Sequence, residues 1–217
     1  MQAIERISQH QDWITVIFLL CLILLVLARI GFTQRFEEFI NLLNSGKFIS
    51  FKGKENKAFH PFNILLLSVQ VLAVSIFLYI AYDYFYELKE ENWIIFIRIF
   101  TAFTCLLLFK ALLEKIIGNI FEIDEQMDYY IFQKLSYRNF IAIFLLAASL
   151  FLIYTLPPTA LILGIIGGIV LLANALGMFL IFRRNQNVLS ANWFYFILYL
   201  CALEIAPYII LYKLIIN

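Results

Sequence analysis

Residues 140–182 read FIAIFLLAASLFLIYTLPPTALILGIIGGIVLLANALGMFLIF. Two apolar runs, Phe140–Leu156 and Ala160–Phe182, meet at Thr155-Leu156-Pro157-Pro158-Thr159. A helix that crosses a bilayer needs about 20 mostly apolar residues. Two successive prolines cannot continue a helix and favour a tight turn. The stretch therefore predicts an antiparallel hairpin of two membrane-spanning helices.

The rest of the 217 residues follows the same logic. The chain is 64% hydrophobic and 14% charged, against roughly 45–50% and roughly 25% for an ordinary soluble domain. That much apolar surface exceeds what a core of this size can hold, so lipid must take part of it. Three cysteines exclude a disulfide scaffold, and 18% aromatics exclude a disordered chain. A net charge of +1 with no basic cluster on a soluble module argues against nucleic acid as a partner.

Six spans are expected: Trp13–Ile30, Phe62–Tyr82, Trp93–Ile117, Phe140–Leu156, Ala160–Phe182 and Trp193–Ile215. The second is entered through His60-Pro61, and Arg98, Lys110, Glu114 and Lys115 interrupt the third near its ends, where long side chains reach water. The first lacks a small-residue cleavage site and is read as a retained span, not a signal peptide. The expected fold class is all-α: a polytopic membrane helix bundle, one transmembrane domain over residues 1–217, with no room for a soluble domain.

Lys and Arg concentrate on the cytoplasmic side of membrane proteins. The segments after spans one, three and five hold Arg29, Arg35, Lys47, Lys52, Lys54, Lys57, Lys110, Lys115, Lys134, Arg138, Arg183 and Arg184. The other side holds Arg6, Lys89, Arg98 and Lys213. This asymmetry predicts both termini outside and three cytoplasmic loops. The outer loop 83–92 is acidic, and Tyr79, Tyr82, Tyr84 and Tyr86 suit an interfacial aromatic belt.

Two cytoplasmic segments show helical periodicity. Phe32, Phe36, Phe39, Ile40 and Leu43 share one face, opposite Arg35, Glu37, Glu38 and Asn41, which predicts a helix lying in the interface. Lys52, Lys54 and Lys57 follow in a loop suited to anionic lipid or to an acidic partner surface. Over Asn119–Asn139, the residues Ile120, Ile123, Met127, Ile131 and Leu135 oppose Glu122, Asp124, Glu125 and Asp128. An acidic face suits an anionic membrane surface poorly, so this segment is expected as a cytoplasmic elbow helix packed on the protein, with a partner contact as the alternative.

Chemistry-bearing motifs are sparse. His10 and His60 fall on opposite sides, and Cys21, Cys105 and Cys201 stand singly in three spans, so no metal site and no cofactor is implied. Hydrolase and phosphate-loop signatures are absent. Gly164 and Gly168, with Gly177 beyond, give the small-residue spacing that lets helices approach closely. The unusual residue is Glu204, near the midplane of span six, three residues before Pro207. A carboxyl there must be neutral or paired. Asn174 in span five falls at a similar depth, and Lys110 in span three lies nearer the cytoplasm. Two readings stand: a polar clamp joining spans three, five and six, or a proton or substrate site. Lys110 and Glu114, one helical turn apart, read as snorkelled interface charge with an i, i+4 pair.

The stretch Leu200-Cys201-Ala202-Leu203-Glu204-Ile205-Ala206-Pro207, followed by Lys213, resembles the closing motif of a small inner-membrane family of Bacteroidota catalogued only as a domain of unknown function. Phe109-Lys110 to Gly118, with Phe121, and Asp128-Tyr129-Tyr130 look similar too. Ala206 departs from the larger aliphatic residue expected there. The resemblance implies an inner-membrane location and six spans, and carries no reaction.

Three functions compete. The favoured expectation is a non-catalytic integral membrane component, a scaffold or accessory subunit of an envelope complex, whose partners are lipid and another membrane protein or a second copy. The alternative is a small proton-coupled carrier or channel built around Glu204, although repeated halves are not evident. An intramembrane enzyme comes last, because no nucleophile and base fall at one depth.

Overall fold

In a computed structural model, residues 12–40, 60–86, 93–120 and 124–184 are described. They form six helices and no strand: α1 Asp12–Gly31, α2 Thr33–Ile40, α3 Pro61–Tyr86, α4 Trp93–Ile120, α5 Asp124–Tyr154 and α6 Ala160–Arg184. All but α2 are long and apolar enough to cross a membrane. The expected sixth span, Trp193–Ile215, lies outside the described residues, as do Glu204 and the lysines at 52, 54 and 57.

Local chemistry explains where these helices begin and end. Asp12 stands in the first turn of α1 and Arg29 in its last, each complementing the helix dipole. Between α1 and α2 the backbone bonding hardly breaks: Phe32 N donates to Ala28 O at 3.1 Å and Phe36 N to Phe32 O at 2.9 Å. Helix α3 starts with Pro61, whose missing N–H costs nothing at that position. His60 caps it, its Nδ1 accepting from Phe62 N at 3.2 Å and its carbonyl from Asn63 N at 2.8 Å. The proline turn behaves as expected. Thr155 N and Leu156 N both donate to Phe151 O at 2.9 Å, and Thr159 caps α6 through Leu163 N to Thr159 O at 2.9 Å.

The described bundle is built on α3 and α5. Helix α1 lies along α3, α4 packs on both α3 and α5, and α6 packs on α5. Half of the apolar window of α3 is buried, against 6% for α4 and 11% for α6, so α3 is central and the other two are peripheral. The outer surface is apolar: Leu19, Ile23 and Val26 on α1, and Leu161, Ile165 and Leu172 on α6, are all exposed. Such a surface suits lipid and not water. The chain is a membrane-embedded helix bundle.

Aromatic clusters close both ends. At one end Trp13 meets Tyr79 at 5.1 Å and Phe96 at 5.3 Å, ring centre to ring centre, and Thr15 Oγ1 lies 2.5 Å from Tyr154 Oη. At the other end Phe39 meets Phe62 at 6.2 Å and Phe140 at 6.0 Å, edge to face. Phe39 is 2% exposed, so α2, expected to lie in the interface over Phe32–Leu43, is fastened to the bundle through its apolar face over its described residues, Thr33–Ile40.

The fourth span differs from its expectation. Elbow and span, divided at Asn139, are one continuous helix, α5, of 31 residues. No Gly or Pro interrupts Asp124–Tyr154, and the apolar phase runs on unbroken, so nothing stops the helix. The small-residue stripe is also used differently. A Cβ on Gly177 meets Tyr137 at 3.6 Å, whereas Gly164 and Gly168 have nothing within 4 Å among the described residues. Of these glycines it is therefore Gly177 that faces α5, not the Gly164-x-x-x-Gly168 pair.

Two predictions follow from these joints. At 3.6 Å a methyl fits in ordinary contact, so Gly177→Ala leaves thermal stability unchanged. Gly177→Val forces its branches toward the Tyr137 ring and costs about 1–3 kcal/mol, while Gly164→Val is silent. Burial, and secondarily the Arg35 charge, hold the His60 imidazole below its ordinary value of 6.5. The unfolded chain then takes up the proton first, so stability falls as pH drops below 6.5. The cap is lost as well, since a protonated Nδ1 cannot accept. His60→Asn keeps a capping acceptor, and its melting temperature should lose this component of the pH dependence.

Candidate polar site between helices 3, 4 and 5

Where α3, α4 and α5 meet, the bundle carries polar and charged side chains away from water. Buried on these three helices are Asn63 and Gln70 of α3, Glu114 of α4, and Gln133, Ser136 and Asn139 of α5. Their positions follow from helical spacing. Asn63 and Gln70 are two turns apart, and Lys134 and Arg138 one turn apart, so each pair shares a face.

The site has two tiers. In the first, Lys134 Nζ donates to Glu114 Oε1 at 2.7 Å, with the two side chains 11% and 5% exposed. In the second, the Gln70 amide, oriented by its neighbours, donates to Asn139 Oδ1 at 2.9 Å. Its oxygen accepts from Arg138 Nε at 3.2 Å and Nη2 at 3.3 Å. Counting back from Tyr154 at 1.5 Å per residue puts Lys134 about 30 Å from the far end of α5 and Arg138 about 24 Å from it. A hydrocarbon core is about 30 Å thick. The ion pair thus sits at the membrane boundary, and the Gln70–Arg138–Asn139 knot about one turn inside.

The chemistry of the tiers differs. Glu114 and Lys134 neutralise each other. The Gln70 oxygen replaces part of the hydration that the Arg138 guanidinium has lost. Ser136 Oγ turns back to Phe132 O at 2.9 Å, and Ser68, Thr101 and Thr104 bond likewise to carbonyls of the preceding turn, the usual use of a hydroxyl in an apolar helix.

The sequence-predicted residues divide as follows. Glu114 belongs to the site, but its partner is Lys134, twenty residues along the chain, and it is a buried tie between helices, not a snorkelled surface charge. Lys110 is half-buried one turn deeper on α4. Asn174 is half-buried on α6, and its Nδ2 donates to Val170 O at 2.8 Å, within its own helix. Its expected meeting with Glu204 lies outside the described residues. Asn63, Gln70, Gln133, Ser136 and Asn139 were missed as site residues, and Lys134 and Arg138 were read only as topology charges. The signal was present: two carboxamides seven apart in an apolar span, and two cations four apart on the next-but-one helix. Among the described residues no three His, Cys, Asp or Glu side chains come together as metal ligands.

Breaking the lower tier strands a charge. Lys134→Met leaves Glu114 without its cation and is expected to cost about 3 kcal/mol, the lower end for a buried pair. Replacing Glu114 by Leu in the same chain should recover most of that loss, because an apolar pair of similar volume is well suited to this depth. Thermal unfolding in detergent of the two variants reads the difference.

No curated protein and no solved structure matches the chain. A family model described as a domain of unknown function (DUF4271) matches residues 14–215, and with nearly its whole length covered the chain belongs to that family.

Proposed function

We propose that the protein is a non-catalytic integral component of the bacterial inner membrane, a scaffold or accessory subunit of an envelope complex. One observation carries this reading: the polar side chains of Glu114, Gln70 and Asn174 are used on the protein itself. Glu114 is spent on Lys134, Gln70 on Arg138 and Asn139, and Asn174 on a carbonyl of its own helix. Side chains engaged in this way fasten helices together. A transport site keeps polar groups available for cargo at mid-depth. The excess of Lys and Arg in the segments after spans one, three and five supports both termini on the periplasmic side. Lys52, Lys54 and Lys57 then face the cytoplasm, where anionic headgroups or an acidic partner would meet them.

Glu204 separates this reading from a proton-coupled carrier. If it only clamps, Glu204→Gln keeps shape and a hydrogen-bond donor and is silent in growth complementation, while Glu204→Leu costs on the order of 1 kcal/mol. A Glu204→Gln variant that is stable but inactive would overturn the scaffold reading in favour of the carrier. A second experiment addresses orientation: Cys introduced at Ala3 and at Ile216 should react with impermeant reagent from the periplasmic side. Labelling from the cytoplasmic side alone contradicts the proposed topology.

A further inference from the structure

Helix α4 turns a charge toward lipid near its start. Arg98 is exposed and stands about 8 Å inside Trp93, the first residue of α4. The opening turns of a helix form the positive end of its dipole, so α4 itself does not offset the guanidinium. Among the described residues no carboxylate pairs with Arg98. A cation inside a span is costly without an anion. A long side chain near a helix end can carry its head to the membrane boundary, which is where phosphate lies.

The surface deeper along this face has a particular shape. Thr101, Ala102 and Cys105 follow Arg98 at i+3, i+4 and i+7, which puts them on its face of the helix, and all three are exposed. The Thr101 hydroxyl donates to Ile97 O at 2.7 Å, so this floor of small side chains asks for no polar partner. Larger side chains stand around it. Ile97 and Leu108 flank one side and Leu106 the other, with Phe109 at the far end, and they are 44%, 55%, 42% and 63% exposed. The trough runs about 16 Å from Arg98 to Phe109. That is close to half of a hydrocarbon core about 30 Å thick, the depth of one leaflet. A cation above an apolar trough one leaflet long matches a lipid in both of its parts.

We propose that Arg98 binds the phosphate of an anionic phospholipid in the leaflet where α4 begins, with one acyl chain lying over Thr101, Ala102 and Cys105 as far as Phe109. The phosphate supplies the anion that the described helices do not, and the chain fills the trough left by the small side chains. The inference rests on the membrane reading of the bundle and not on the scaffold role, so either can fail without the other.

The test is lipid retention by the purified full chain, measured by native mass spectrometry after exchange into mixed phosphatidylglycerol and phosphatidylcholine. Phosphatidylglycerol should be retained preferentially. Arg98→Gln, an exposed change, should lower that preference about fivefold, the effect of one basic residue beside anionic headgroups, and Arg98→Lys should preserve most of it. Ala102→Leu fills the trough without touching the charge and should lower retention of both lipids. Excess inorganic phosphate should not displace the lipid, because the acyl chain contributes to binding. Equal retention of the two lipids overturns the proposal, as does retention that Ala102→Leu leaves unchanged. An unchanged preference in Arg98→Gln overturns it too, and would assign the arginine to an acid such as Glu90 or Glu91, just before α4 in the sequence. Displacement by inorganic phosphate overturns it in favour of a site for the free anion. A stoichiometric membrane protein retained in place of lipid overturns it in favour of a partner helix.

Discussion

Arg138 carries a charge about one turn inside the membrane boundary, where hydrocarbon cannot solvate it, and neighbouring helices supply polar partners instead. The Gln70 oxygen supplies the acceptor, and the Gln70 amide nitrogen donates to Asn139 Oδ1. Neither helix can shift along the other by even one turn without exposing these groups to hydrocarbon. Apolar packing alone lacks that selectivity, since lipid tails are as apolar as Leu and one register of aliphatic side chains resembles the next. The knot therefore fixes which residues of α3 and α5 share a level, and the other contacts are arranged around that pair.

The consequences can be followed along the bundle. With Gln70 level with Asn139, Ala73 comes level with Ala142, and both are buried, so two small side chains coincide where the helix axes are close. Beyond them the apolar core built on Ile76, Tyr79 and Leu146 takes in Ile14, Phe18 and Cys21 of α1. Toward the other end Phe39, Phe62 and Phe132 close a second apolar cluster, and the His60 cap starts α3 beside it. Helix α4 is tied in from the side by Glu114 and Lys134. Helix α6 is held through the hairpin turn and the Gly177 contact with Tyr137, leaving most of its surface to lipid.

Much of this architecture is legible in the sequence, because long uncharged runs and a double proline have few physical alternatives. The hairpin at Pro157-Pro158 and the five described spanning helices follow from hydropathy and turn chemistry. The division of α5 at Asn139 has a plain cause. A cluster of Gln, Lys, Ser, Arg and Asn looks solvated when hydropathy is read in one dimension, and only the neighbouring helices reveal that it is buried. For the same reason Gln70 is inconspicuous: one carboxamide in an apolar span carries no signal until its partner is known. Glu114 stood out as an intramembrane acid, but its partner comes from another helix, which spacing within α4 cannot disclose. The Gly164-x-x-x-Gly168 pattern, by contrast, is a property of the helix alone and does not specify which face receives a neighbour.

The most direct measurement is a double-mutant cycle on Gln70 and Asn139, each replaced by Leu singly and together, with unfolding followed in a bilayer-mimicking detergent. If the knot pins α3 to α5, the two changes are coupled by about 1 kcal/mol, the scale of a hydrogen bond between membrane helices. Strict additivity of the two losses would contradict the account, for it would mean that these side chains meet without holding the helices in register.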